Sequence, residues 1–241
     1  MCLILIAIAP TPELSLVVAA NRDEFYTRPA SQADFWSGTD ILAGKDLEAG
    51  GTWLGINRQG RFAAVTNYRE DPPDPLPPRS RGDLPTRYLQ DAVDATDYLT
   101  EIDHHHDDFR GFNLLLGEKQ QFHYYCNRQR NIIMLGPGCY GLSNQVLDCD
   151  WPKVNTGRDQ LSAMVTQTVE VEPLFEMLKA PGTDQAYSNP FISSADYGTR
   201  ASTVIIMRSN GEVYFEERQF FAHGEPGPHI RHEFDLDRSG C

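Results

Sequence analysis

The sequence predicts an α+β fold in which helices are layered outside antiparallel sheets. Short apolar, β-prone runs come in groups, and two helix-like blocks separate these groups, so the order is strands, helix, strands, helix, strands. Short turn sequences join several neighbouring runs, which is typical of antiparallel hairpins. The regular alternation of strand and helix that defines a doubly wound parallel sheet is not seen.

The first hairpin comprises residues 2–9 and 15–22, two apolar runs separated by Pro10-Thr11-Pro12-Glu13. Both runs are almost continuously apolar, so we expect both faces of this hairpin to be covered. Residues 2–9 have the length of a strand and no basic segment before them, which distinguishes them from a signal peptide. The chain is therefore expected to begin inside its own fold.

The other elements follow from the same patterns. Asn57-Arg58-Gln59-Gly60 and Ser209-Asn210-Gly211 are hairpin turns. Pro173 is expected to divide the second helical block, and residues 71–78 to form a proline-rich loop. The predicted strands are 51–56, 61–67, 111–116, 121–126, about 131–134, 201–208 and 212–220, and the predicted helical blocks are about 81–103 and about 156–180.

Length and composition predict a single domain over residues 1–241, with a loosely ordered tail from about residue 222. The net charge of −13 disfavours nucleic-acid binding and docking on anionic membranes. No segment approaches the roughly 20 apolar residues of a membrane span. The five cysteines lack CxxC spacing, so a reduced, cytoplasmic setting is expected.

The sequence predicts neither a cofactor nor a metal site. It has no Walker-type or Rossmann glycine loop. Cys126, Cys139 and Cys149 lack zinc spacing. Residues 104–106 are consecutive histidines that do not share a helical face, and they are interpreted as a solvated helix end.

Cys2 is the first candidate for chemistry. A cysteine directly after the initiator methionine allows the methionine to be removed, which leaves a thiol and a free α-amine on one residue. Their reference pKa values, about 8.5 and about 7.7–8.0, lie close to working pH. The alternative is that Cys2 is a small buried hydrophobic residue at the start of a strand.

Four polar residues, Asn21-Arg22-Asp23-Glu24, end the second apolar run. A short antiparallel hairpin returns this segment to the beginning of the first strand, so we expect it to lie near Cys2. There Arg22 can lower the pKa of the thiol, and Asp23 can orient the amine. The alternative is a buried Arg–Asp pair without chemistry.

The combination of motifs resembles the NRDE family, the family of transport and Golgi organisation two. The matching stretches run from residue 2 to about 205, so the resemblance covers most of the chain. They are Met-Cys at the start, Asn21–Glu24, Gly50–Gly55, Thr66–Arg69, Ser80–Gly82, Gly111–Leu115, Gly141–Asn144, Trp151–Lys153 and Thr199–Thr203.

This family is in turn similar to N-terminal-nucleophile hydrolases, including bile-salt and penicillin V amidases. The resemblance implies a four-layer αββα sandwich. It also implies a set of catalytic positions, namely Cys2, Arg22, Asp23, Asn67, Asn144 and Arg200. In the amidases the acidic residue lies further beyond the arginine, so Glu24 is an alternative to Asp23.

In this interpretation Asn67 and Asn144 donate hydrogen bonds to an oxyanion formed on Cys2. The alternatives are a strand-end residue for Asn67 and a loop cap for Asn144. Trp53, in Gly50–Gly55, is either the wall of an apolar pocket or part of the core.

Two functions remain open. In the first, the protein is a cysteine hydrolase of a linear amide or related acyl bond. In the second, it is a non-catalytic protein that handles a lipid, an acyl-CoA or haem on the same scaffold. Both functions predict a small-molecule substrate or ligand, which contains an acyl group unless the ligand is haem.

Overall fold

The computed structural model describes residues 2–70, 79–118, 120–166 and 168–237. The predicted proline-rich loop at 71–78 lies outside these residues. The strands are β1 (Leu3–Thr11), β2 (Leu14–Phe25), β3 (Ala30–Phe35), β4 (Ile41–Asp46), β5 (Leu54–Asn57), β6 (Phe62–Asn67), β7 (Phe112–Glu118), β8 (Gln121–Cys126), β9 (Asn131–Leu135), β10 (Gly138–Leu142), β11 (Tyr197–Arg208), β12 (Glu212–Phe220) and β13 (Pro226–Asp235). The α-helices are α1 (Asp83–Gln90), α2 (Ala95–His104), α3 (Pro152–Met164) and α4 (Val171–Lys179).

The chain divides into two compact units, and each is described by itself. Unit 1 comprises the described residues of Met1–Arg28, Pro137–Ser143 and Leu147–Asp235. Unit 2 comprises those of Pro29–Gly136, Asn144–Val146 and Leu236–Cys241. That residues 1–241 form a single domain stays a prediction.

Unit 1 contains a six-stranded antiparallel sheet in the order β10-β1-β2-β11-β12-β13. Helices α3 and α4 pack on one face, where Val154 and Leu174 share a core with Leu5 and Val17. Residues of the other face, such as Ile4 on β1, are buried as well. This confirms that the first hairpin is central and covered on both faces.

Unit 2 contains a seven-stranded antiparallel sheet whose strands follow chain order, β3-β4-β5-β6-β7-β8-β9. Helices α1 and α2 pack on one face, where Leu84, Tyr88 and Leu99 share a core with Leu114 and Tyr125. The two sheets with their helices confirm the predicted α+β class.

Both predicted helical blocks are interrupted. The first ends at Gln90 and resumes at Ala95, where the Asp94 side chain accepts hydrogen bonds from two backbone amides and caps α2. The second is interrupted between Met164 and Val171. Pro173 does not divide it as predicted. It lies in the first turn of α4, where a missing N–H costs nothing because that group has no partner within the helix.

The prediction of a loosely ordered tail from about residue 222 is wrong for residues 226–235. These residues form β13, which pairs with β12 along the edge of the sheet in unit 1. Gly224, Pro226 and Gly227 suggested a loosely ordered tail, but an edge strand needs backbone hydrogen bonds on one side only. Strands β3, β4 and β10 were also not predicted.

Candidate active site

The predicted site residues fall in both units. Cys2, Arg22, Asp23 and Arg200 belong to unit 1, whereas Asn67 and Asn144 belong to unit 2. They are described in that order.

The register of the first hairpin places the beginning of β1 beside the polar end of β2. Leu3 pairs with Asn21, and the Cys2 Sγ lies 4.0 Å from the backbone oxygen of Asp23. The Ser143 hydroxyl, just beyond β10, donates a 2.6 Å hydrogen bond to the carbonyl of Cys2. Residue 2 is therefore held by neighbours on both sides.

Asp23 is the buried carboxylate of this region, with 5% of its surface exposed. Its Oδ1 accepts a 2.7 Å hydrogen bond from the Thr199 hydroxyl on β11. Burial raises the pKa of Asp23, while the Thr199 hydrogen bond and the charge of Lys153 oppose the rise. Glu24 is less buried, and its Oε1 accepts from the amide of Phe25. The geometry therefore favours Asp23 over Glu24 as the acidic partner of Cys2.

Burial opposes ionisation of the Cys2 thiol. Desolvation by the surrounding protein raises its pKa, and the Asp23 carboxylate raises it further, while Arg22 lowers it. A thiol with a raised pKa needs a base before it can attack a substrate. Any catalytic role for Cys2 therefore requires a proton acceptor beside it.

Arg200 lies at a β-bulge next to this cluster. Thr199 pairs with Asp23 and Ala201 with Arg22, so Arg200 is the extra residue of β11. Its Nη1 donates to the backbone oxygens of Phe25, Tyr26 and Arg28 at 2.9, 3.2 and 3.0 Å. Burial and the neighbouring Arg22 lower the pKa of Arg200. These contacts make Arg200 a brace for the segment that follows β2.

Asn21, the first residue of the tetrapeptide Asn21–Glu24, makes hydrogen bonds that hold the fold together. It is fully buried, and its Nδ2 donates to the backbone oxygens of Leu178 and Pro190 at 2.9 and 2.8 Å. Its Oδ1 accepts a 2.6 Å hydrogen bond from Ser202. Asn21 thus ties β2 to the end of α4 and to the loop before β11.

Lys153, with 2% of its surface exposed, was not singled out from the sequence. It is the second residue of α3, and burial lowers its pKa, while Asp23, Cys2 and Cys149 act in the opposite direction. Its backbone amide donates to Tyr187, whose ring stacks on Trp151 at a centroid distance of 4.2 Å. A signal was present, because a lysine in the first turn of a helix opposes the helix dipole.

Tyr197 also was not predicted. Its hydroxyl lies 3.3 Å from the backbone oxygen of Asp23, the same oxygen that faces the Cys2 thiol. Burial, followed by the negative charges of Cys2 and Asp23, raises the pKa of Tyr197.

In unit 2, Asn67 ends β6 and its side chain is exposed. Asn144 is 6% exposed, and its Nδ2 donates to the backbone oxygen of Asn67 at 2.8 Å. The Asn144 Oδ1 is buried without a hydrogen-bond partner among the described residues. The Asn144 side chain thus contacts the backbone of Asn67, and the role of the two side-chain amides as oxyanion donors stays a prediction.

The remaining features considered from the sequence are Trp53, a metal site and a membrane span. Trp53 is partly buried and packs against the core of unit 2, which favours the core interpretation. Within the described ranges, no group of His, Cys, Asp and Glu is arranged to hold a metal ion. No helix in the described part of the chain is long and apolar enough to cross a membrane.

The fold of the chain is similar to that of a solved protein. The chain is similar to the solved Caenorhabditis elegans N-acylethanolamine-hydrolyzing acid amidase ortholog, with a TM-score of 0.51 over 85% of this chain and 92% of that chain. Sequence identity is 10%, so the likeness concerns the fold alone, and it confirms the predicted N-terminal-nucleophile-hydrolase-like fold.

The chain belongs to the Transport and Golgi organisation 2 family, which matches residues 1–222. It is 36% identical to the Transport and Golgi organization protein 2 homolog of Homo sapiens, over 90% of this chain and 92% of that protein. The Drosophila melanogaster Transport and Golgi organization protein 2 is 25% identical, over 97% of this chain and 99% of that protein. The resemblance inferred from the motifs is thereby confirmed.

Proposed function

We propose that the protein is an N-terminal cysteine amidohydrolase that cleaves a linear amide or related acyl bond, with Cys2 as the nucleophile. The supporting observation is the position of Cys2. Its thiol lies against Asp23 at the end of β2, and its carbonyl is fixed by Ser143. A structurally similar chain hydrolyses N-acylethanolamines, so N-acylethanolamines are the first substrates to test.

In the proposed reaction Met1 has been removed and the α-amine of Cys2 takes the thiol proton. The Cys2 sulfur attacks the acyl carbon, and the amine then passes the proton to the leaving nitrogen as the C–N bond breaks. Water hydrolyses the resulting thioester, which releases the acid and restores the thiol. Arg22 favours the thiolate, and Asp23 with Thr199 orders the strand end beside it.

The test combines intact mass, labelling and turnover. We expect a mature chain without Met1, labelling of Cys2 by an acylating probe, and hydrolysis of an N-acylethanolamine that falls at least about 10³-fold in Cys2→Ala. Cys139→Ala, which removes another partly buried cysteine of unit 1, should keep full activity. Retention of Met1, an unlabelled Cys2, or equal turnover in Cys2→Ala would contradict the proposal.

The alternative is a non-catalytic binding protein for lipid, acyl-CoA or haem on the same scaffold. The raised pKa of the Cys2 thiol favours it, since a protonated thiol is a weak nucleophile. Titration with acyl-CoA and with haem, in wild type and Cys2→Ala, separates the two functions. Tight binding that survives Cys2→Ala, without amide turnover, supports the alternative.

A further inference from the structure

Lys153 is buried in a place where a positive charge is costly. It lies in the first turn of α3, at the end of the helix where the helix dipole is positive. With 2% of its surface exposed, it has also lost nearly all its hydration. Both conditions favour the neutral amine, and nearby negative charge is what favours the ammonium form of such a lysine.

The strand register identifies the source of that charge. The Asn21 amide reaches the backbone of Leu178 in α4, so side chains alternating from Asn21 along β2 face the helices. Asp23, two residues further on, shares that face. Helix α3 packs on the same face, since its Val154 and Leu161 share a core with Leu3. The buried lysine and the buried carboxylate therefore lie on one side of the sheet.

Other titratable groups surround the same cluster. From β2, Arg22 favours the Cys2 thiolate and Asp23 disfavours it. From β11, the Tyr197 hydroxyl lies beside both Cys2 and Asp23. From the loop before α3, Cys149 favours the charged form of Lys153. Any measurement on the thiol therefore reports several charges, and the contribution of Lys153 must be isolated by substitution.

We propose that Lys153 is a positioning residue for Cys2: its ammonium holds the Asp23 carboxylate ionised and offsets the charge that forms on Cys2 when the thiol loses its proton. This inference rests on the proposed function and deepens it. Lys153 would then be a second cation beside Cys2 and Asp23, in addition to Arg22, on the face of the sheet that the helices cover.

The experiment measures the rate of Cys2 alkylation by iodoacetamide against pH, with site-resolved mass spectrometry. We expect Lys153→Met to raise the apparent pKa of Cys2 by about one unit and to slow alkylation at pH 7 about tenfold. Lys153→Arg should retain most of the rate because the charge remains. Lys179→Met, which removes an exposed lysine at the end of α4, should follow the wild-type profile.

A Lys153→Met profile that superimposes on the wild type in a folded protein overturns the inference. If wild-type Cys2 is unreactive at every pH, the proposed function fails, and Lys153 is then judged on Asp23 alone. In that case a ¹³C titration should show a higher pKa for Asp23 in Lys153→Met, and an unchanged titration overturns the inference.

If Lys153→Met does not fold, Asp23→Asn provides the reciprocal measurement. Without the carboxylate, the Lys153 Cε resonance should titrate at lower pH than in the wild type. An unchanged titration shows that the two groups do not interact and overturns the inference.

Discussion

Each unit buries a cation among its described residues, and the two cations are satisfied in different ways. Arg61 in unit 2 is 7% exposed, and its guanidinium donates to the backbone oxygens of Tyr88, Asp91 and Val93. It also forms a 2.8 Å ion pair with Glu118. Lys153 in unit 1 lies instead among ionisable groups, the Asp23 carboxylate and the thiols of Cys2 and Cys149.

The comparison shows that a buried charge does not by itself mark a functional site. The rigid fork of an arginine can satisfy several fixed carbonyl groups at once, and Arg61 in this way closes the end of α1. A lysine shifts its pKa readily, and its neighbours in unit 1 can all change protonation state. The neighbours of the charge, more than its burial, distinguish a structural clamp from a candidate site.

The largest expected effect is the loss of the clamp in unit 2. Arg61→Met leaves Glu118 and three carbonyl groups without their donor, so we expect the free energy of unfolding to fall by about 4 kcal/mol. Urea denaturation measures it. Arg87→Met, which removes a surface ion pair with Glu101, should cost less than about 1 kcal/mol. Equal losses in the two variants would refute the difference between clamp and surface pair.

The next effect separates structure from chemistry within unit 1. Asn21→Ala removes three hydrogen bonds and leaves two buried carbonyl groups unpaired, so a loss of about 3 kcal/mol is expected. The pH profile of Cys2 alkylation should not change. Asn155→Ala, which removes an exposed hydrogen bond to Asp150, is the matched control and should cost under about 1 kcal/mol. A shifted alkylation profile in Asn21→Ala would place Asn21 in the chemistry.

The smallest expected effect is on how the free energy of unfolding changes with pH, which should have opposite signs for one carboxyl group in each unit. In unit 2, hydrogen bonds from Arg130, and a smaller one from Tyr125, lower the pKa of Asp103 to about 2. Its stabilising contribution is present above about pH 4 and is lost as pH falls toward 2. Because Asp103 is partly screened by solvent, Asp103→Asn should remove only about 1 kcal/mol of this acid-induced loss, measured by urea denaturation from pH 7 to pH 2.

The Asp23 carboxyl in unit 1 changes the stability of the fold with pH in the opposite direction to Asp103. Its raised pKa means that the folded state binds a proton more readily than the unfolded state. Its contribution to stability is therefore largest at low pH and is lost as pH rises through the raised pKa. Asp23→Asn should make stability fall less over that range, and parallel pH dependences for Asp23→Asn and Asp103→Asn would contradict the assignment.

Predictions from sequence succeeded where the signal was local. The Asn57–Gly60 and Ser209–Gly211 turns and the strands beside them are encoded in short patterns. Predictions from sequence failed where the secondary structure of a segment depends on its neighbours in space. Strand β13 contains Pro226 and Pro228, and only the edge of a sheet makes such a sequence a strand. The capping by Asp94 that separates α1 from α2 was a local signal that was overlooked.

By itself the sequence determined the α+β class, the family and the proximity of Cys2 to the end of β2, because apolar periodicity, motifs and a short hairpin act over neighbouring residues. The tertiary structure alone decided that Asn21 is a structural residue, that Arg200 braces a bulge, and that Lys153 enters the cluster. These depend on contacts between residues more than 100 positions apart, and burial then lowers the pKa of Arg200 and of Lys153.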